Sequence, residues 1–474
     1  MPAPAWETGA VIDFRTIRLA ELAGRVRRRE LAAREVIEHC LERLGAVNPR
    51  STPSSPSRRA GPPRRRRPRR AHRPGEDPGP LAGVPVGVKD LEAVEGFVTT
   101  FGSALRAGDA PASADCVHVA RMRAAGAIIV GKTNTPEYGH KGMTDNPVFG
   151  ETRNPWSLAH TPGGSSGGTA AAIAAGIIPL GTGSDGGGSI RIPATVCGLS
   201  ALKTEAGRIP ITGATMPGSG LLSTNGPMAN RIADTAWALD VVVGHHGGDP
   251  LSLPHPGRSW YQAVTGELPR RVVWSPTMGH GTVDAEVAAA CRSAVDRLAA
   301  AGVEVIELDR VFDADPLEPW LVLWAVARFK AQGHLIGTAD WDRLSPSIRP
   351  QILLGRDVTG ADFARAQDAM YGLNLQLEAA LAHGPFVLCP TAAGQAPRLG
   401  EDGTIDGEAS VGWVQFTYGI NMTRNPAGTT PVGLTSAGLP IGLQVIGRHH
   451  DEPGVLNAIA AIEAVIGFDR LAPV

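Results

Sequence analysis

Between residues 161 and 193 the chain reads TPGGSSGGTAAAIAAGIIPLGTGSDGGGSIRIP, a stretch whose side chains are too small to be there for packing volume alone. Glycine lets backbone approach a ligand closely and adopt positive φ, so two Gly/Ser clusters joined by helix-forming alanines imply two loops facing one reacting group. Around this stretch, short apolar runs alternate with helical patterns. LAGVPVGVK is followed by CVHVARMRAAG and then AIIVG; the rhythm returns in RRVVW, a helix over 284–301, VEVIEL, FVLCP, IGLQVIG and a helix near 453–465. Such alternation predicts an α/β chain with a mostly buried sheet flanked by helices. Near the start, Leu19, Leu22, Val26, Leu31, Val36, Ile37, Cys40 and Leu41 share a stripe that predicts an amphipathic helix or helix pair over 16–45.

The 474 residues suffice for about three average domains or one large α/β domain. Basic and acidic residues balance at 45 and 46, so nothing steers the whole molecule onto nucleic acid or an anionic membrane, and the expected partner is a small molecule. No apolar run reaches the roughly 18 residues of a membrane span, and the first residues carry no basic head before an apolar stretch, so a cytoplasmic protein is expected. The five cysteines lie far apart without zinc-ligand spacing; no metal is expected, and free thiols in a reducing compartment are. Of the 45 basic residues only Lys89, Lys132, Lys141, Lys203 and Lys330 are lysines. Residues 51–74, STPSSPSRRAGPPRRRRPRRAHRP, hold nine Arg and six Pro and nothing aliphatic beyond Ala, so they build no buried element. A solvated linker is the simpler expectation there, a basic arm for nucleic acid the alternative.

Two motif patterns match and mislead. GTGSDG at 181–186 fits the dinucleotide pattern, with Glu205 about twenty residues on, but Ser189 to Pro193 is β-branched and ends in Pro, so no phosphate-binding helix is expected to follow. GGSSG at 163–167 fits the α/β-hydrolase elbow almost by composition alone.

Together the two clusters are far more specific. With GVPVGVKD ending at Asp90, GKTNTPEYGHKG at 131–142, FGETRNPW at 149–156, GSDGGGSIRIPATVCGLSALK, LSTNGPMAN, CPTAAGQAP and FTYGINMTRNPAGTTPVGLTSAGLPIGLQVIGR, the chain resembles the amidase signature family, the Ser-cisSer-Lys amide hydrolases. The resemblance spans nearly the whole chain apart from 51–74. It implies a single domain over 1–474: a large mixed, mostly parallel twisted sheet covered by helices on both faces. It further implies Ser189 as acyl-forming nucleophile, Ser165 as bridging serine in a cis peptide after Gly164, and Lys89 as general base. A lysine, ordinarily near pKa ~10.4, serves as a base only once burial disfavours its charge. Gly186, Gly187 and Gly188 match the oxyanion hole, Asp185 and Arg191 the scaffold around it, and Ser166 a supporting hydrogen-bond donor. No cofactor is implied. The family usually has Thr or Ile where Gly186 stands, and KPT where this chain has Lys203, Thr204 and Glu205. Relatives also have an apolar piece and an Ala-rich helix in place of 51–74, and a GC-rich gene read out of frame between two compensating shifts would give such a replacement.

For substrate, the family-variable loops at 138–144, 211–225 and 391–396 and the middle-helix Trp324 are the expected walls, with Tyr138, Met143, Met216, Leu221, Leu222 and Thr391 as contacts. Apolar residues in a Gly-rich loop suit a mobile lid over an uncharged acyl or aryl group. No basic anchor for an acidic substrate stands out. Hydrolysis of aryl or alkyl amides, with esters and carbamates (urethanes) as further candidates, by a monomer or homodimer is the expectation. Two alternatives are the A-type subunit of a glutamine-dependent tRNA amidotransferase and a non-catalytic phosphate or nucleic-acid binder.

Overall fold

The computed structural model describes residues 12–51, 77–212 and 220–474. The Arg/Pro-rich run from residue 52 onward and Met216 lie outside the described residues.

Ten strands form one sheet: β1 (Pro85–Lys89), β2 (Ile128–Thr133), β3 (Leu180–Asp185), β4 (Ala201–Lys203), β5 (Thr224–Ala229), β6 (Arg271–Trp274), β7 (Glu304–Glu307), β8 (Val387–Pro390), β9 (Ala427–Leu434) and β10 (Pro440–Ile446). Their spatial order is β2-β1-β3-β5-β4-β9-β10-β8-β6-β7. The wings pair in parallel, β1 with β2 and β3, and β6 with β7 and β8. The centre, β3 through β5, β4, β9 and β10 to β8, is antiparallel. This is the expected large mixed sheet with helices. Every residue of β1, β8 and β10 is buried, as strands are when both faces of a sheet are covered. Among the described residues no helix is long and apolar enough to cross a membrane.

The aliphatic runs became the predicted strands, and the predicted helices stand at Leu19–Arg27, Ala33–Ser51, Val117–Ala124, Ala285–Ala300 and Glu452–Ile466. The Asp284 side chain accepts from the backbone N–H of Glu286 and Val287, a cap worth about 1 kcal/mol. One expectation fails. A helix does follow the second Gly cluster, at Arg191–Val196. Pro193 sits in its first turn, where backbone N–H groups have no intrahelical partner and a missing one costs nothing.

Strand β1 positions the site. It is paired on both sides, with Lys89 opposite Thr133 and Gly87 opposite Gly181, so its carboxyl end lies beside that of β3, where the second Gly cluster begins. The helix Gly167–Ala174 carries the first cluster to the same end. Its small residues permit that approach: a Cβ on Gly168 would stand 2.3 Å from the backbone nitrogen of Asn134.

Candidate active site

Lys89 ends β1 with no exposed surface. Its Nζ lies 2.8 Å from Ser165 Oγ, 2.8 Å from Ser166 Oγ and 2.9 Å from Ser184 Oγ. No carboxylate is bonded to it. Burial therefore pushes the ammonium down to about 7, against opposing pulls from Glu92 and Asp185. The Gly164–Ser165 peptide is cis. Ser165 and Ser189 both line one cavity of about 760 Å³, and Ser166 N donates to the Ser189 carbonyl at 3.2 Å. The backbone thus brings the two Gly/Ser loops face to face, as their composition implied. Between the hydroxyls of Ser165 and Ser189 no hydrogen bond is formed, which is common before substrate draws such groups together.

Asp185 organises the loop that carries Ser189. Its carboxylate accepts from Gly188 N at 2.7 Å, Ile190 N at 3.1 Å, Arg191 Nε at 3.0 Å and Asn421 Nδ2 at 2.9 Å. Arg191, equally buried, also donates to Gln444 Oε1 at 2.7 Å and Asn421 Oδ1 at 2.6 Å. Burial alone would push the Asp185 carboxyl up; the adjacent Arg191 guanidinium more than reverses this and holds it well below the usual carboxylate range. The N–H groups leading into the Arg191–Val196 helix, those of Gly188, Ile190 and Arg191, are thereby occupied by this chain's own anion, which leaves no phosphate site there.

Of the three glycines expected to bind an oxyanion, Gly188 has its N–H committed to Asp185. Gly186 and Gly187 are held by their carbonyls: Trp320 Nε1 donates to Gly186 O at 3.0 Å and Thr417 Oγ1 to Gly187 O at 2.6 Å. In a trans peptide the C=O and the next N–H point opposite ways, so the Trp320 bond also fixes where the N–H of Gly187 points. A Cβ on Gly187 would lie 2.6 Å from Trp320 Cζ2.

Tyr138 and Trp324 line the cavity, and Ile211, Ser223 and Asn225 from the 211–225 loop join them. Met143, Leu221 and Thr391 are not part of its wall. The Met143 backbone instead packs on Gly164, where a Cβ would stand 2.7 Å from Met143 N. Thr391 is buried behind the sheet end, its hydroxyl 2.6 Å from that of Thr429, and Ala392, Gly394, Gln395 and Ala396 border a separate void of about 10 Å³, no larger than one water. Leu222 lies in the core with Val273 and Met278. The sequence reading missed Phe101, Glu92, Arg328 and Gln332 in the wall. For Arg328 the signal was present: Trp320, Trp324 and Arg328 recur every four residues on the helix Leu317–Gln332 and so share one face. No basic anchor stood out in the sequence, yet the structure places Arg328 in the cavity wall.

The Amidase family profile matches residues 35–456. The chain belongs to the amidase family. An acylamidase of Rhodococcus erythropolis is 37% identical over 459 residues, 94% of each chain. The A-type subunit of a glutamyl-tRNA(Gln) amidotransferase from Roseiflexus castenholzii is 32% identical over 474 residues, covering 94% of this chain and 95% of the relative. Among solved structures, a bacterial aryl acylamidase of the amidase signature enzymes superposes with TM-score 0.85 at 26% identity, over 97% of this chain and 99% of the other. The amidase is thus a hydrolase acting on amide C–N bonds.

Proposed function

We propose that the amidase hydrolyses aryl and alkyl amides, and esters and carbamates by the same acyl chemistry, through an acyl-enzyme on Ser189. Ser189 Oγ attacks the carbonyl carbon and passes its proton to Ser165, whose own proton goes to neutral Lys89. The negative oxygen of the tetrahedral intermediate is bound by the N–H groups of Gly186 and Gly187. Collapse breaks the C–N bond as Lys89, through Ser165, returns the proton to the departing amine. Water then attacks the ester by the same relay, releasing the acid and restoring Ser189. Asp185, Arg191 and Ser166 hold the loops in register and carry no proton. The observation that supports this reading above all is a lysine able to lose its charge, 2.8 Å from Ser165 Oγ at the edge of the cavity that Ser189 lines. Five free cysteines, four of them buried, fit the reducing cytoplasm.

The test is a panel of p-nitroanilide, anilide and carbamate substrates with wild type and Ser189→Ala. Wild type turns over part of the panel and the variant none of it; turnover retained in Ser189→Ala overturns the mechanism. The likeness to the tRNA amidotransferase component favours a second reading, an enzyme active only inside a complex. Turnover of simple anilides by the isolated chain decides against that second reading.

A further inference from the structure

One buried charge in the cavity wall has no counter-ion. Arg328 is 6% exposed and lines the same cavity as Ser165 and Ser189. Its guanidinium lies over the Trp324 ring at 4.6 Å from the centroid, and Nη1 donates to the Tyr138 carbonyl at 2.9 Å. Its Nε has no partner, and among the described residues no carboxylate forms an ion pair with it. The other charged residues of the wall each have a partner, although Glu92 Oε2 has none of its own. Arg106 pairs with Asp109 at 2.7 Å, Asp340 with Arg343 at 2.6 Å, and Glu92 meets His118 Nδ1 at 2.9 Å and Asn225 Nδ2 at 3.0 Å.

Burial pushes the Arg328 guanidinium down to about 10, which still leaves it cationic at neutral pH. Removing a lone cation from water costs several kcal/mol, and one carbonyl and one aromatic face offset only part of that. A second unsatisfied side chain lies one turn further along the same helix. Gln332, also 6% exposed and in the cavity wall, has an amide Oε1 without a partner; half a turn about its last bond presents the amide N–H groups in its place. Arg328 is tied to the backbone beside the reacting groups. Arg328 is bonded to the carbonyl of Tyr138, and the next residue, Gly139, abuts the bridging serine so tightly that a Cβ there would lie 3.2 Å from Ser165 Oγ.

We propose that Arg328, assisted by Gln332, anchors a carboxylate of the substrate, so that the preferred amides carry a free carboxylate near the scissile bond. This rests on the hydrolase reading above and narrows it. A guanidinium matches a carboxylate in shape as well as charge, and the ligand supplies the counter-ion that the protein omits.

The test compares matched substrates: butyryl, succinyl and 4-aminobutyryl p-nitroanilide for the acyl side, acetanilide and 4-acetamidobenzoate for the amine side. Wild type is expected to prefer a carboxylated member over its neutral partner by about tenfold to a hundredfold in kcat/KM, and the arm that shows it identifies the side bearing the carboxylate. Arg328→Gln collapses that ratio, and Arg328→Lys restores part of it. Because each ratio is taken within one preparation, partial misfolding cancels. Preference for the neutral or amino member, or a preference that survives in Arg328→Gln, overturns the proposal while leaving the hydrolase standing. If no member of any pair is turned over by wild type, the hydrolase reading itself fails. Calorimetric binding of 4-acetamidobenzoate and succinate to Ser189→Ala then tests Arg328 alone: saturable binding lost in the Arg328→Gln double variant supports it, and no binding overturns it.

Discussion

Lys89 and Lys203 each end a strand of the same sheet, are almost wholly buried, and are pushed by burial down to about 7. Their surroundings differ. Three hydroxyls surround Lys89 Nζ and a cavity lies beyond them. Lys203 Nζ meets the carbonyl of Thr204 at 3.2 Å, within a cluster of fixed charges: Arg191 presses it further down, while Asp185, Glu205 and Glu452 pull it up. A depressed lysine is thus not in itself a base; it needs a neighbour with a proton to give, and only Lys89 has one.

The largest test of that contrast exchanges each lysine for methionine. Lys89→Met is expected to lower kcat by about 10³–10⁴, the upper range for loss of an acid–base group, whereas Lys203→Met lowers kcat less than about tenfold and registers mainly in the thermal midpoint. Equal losses in the two variants would erase the distinction. Next comes acidity. In the proposed relay Lys89 works only without its proton, so kcat/KM is expected to fall about tenfold per pH unit below about 7, and Lys203→Met to keep that limb unchanged in position. A similar, roughly tenfold effect is expected for Trp320→Phe, which keeps a ring but removes the donor to Gly186; kcat drops while KM stays within about twofold, because the bond aims a group used in the transition state. A fall confined to KM would place Trp320 in substrate binding instead. A further effect is on stability. Both lysines hold fewer protons folded than unfolded between about pH 7 and their ordinary 10.5, so unfolding free energy rises with pH across that window by up to about 1.4 kcal/mol per unit for each. Denaturant titrations of Lys203→Met should show that slope roughly halved.

Where aliphatic side chains alternate with turn residues, the architecture was legible. VPVGVK, RVVW and VLCP each advertise burial, and each is a strand. The antiparallel centre was not, because β3, β5 and β9 are written largely in Gly, Thr, Ser, Pro and Ala, which read as loop, and β4 is only three residues long; they become strands only through neighbours distant in sequence. The Ser, Lys and Gly of the site were visible through motif order. What motif order concealed was which N–H groups Asp185 consumes, since this depends on a side chain folding back on its own loop. Pocket walls were hardest. Met143 and Thr391 adjoin motif blocks yet lie outside the cavity wall, and Arg328 looked like one more arginine among forty until the helix Leu317–Gln332 set it in the cavity.

The bond from Trp320 to Gly186 spans two otherwise separate regions: the segment that carries the reacting groups and the helix that shapes the wall. Anyone retargeting this enzyme by grafting residues 317–340 from a relative inherits an obligation. The incoming segment must bring its own donor to that carbonyl, or a new specificity will arrive with a slack loop around Ser189.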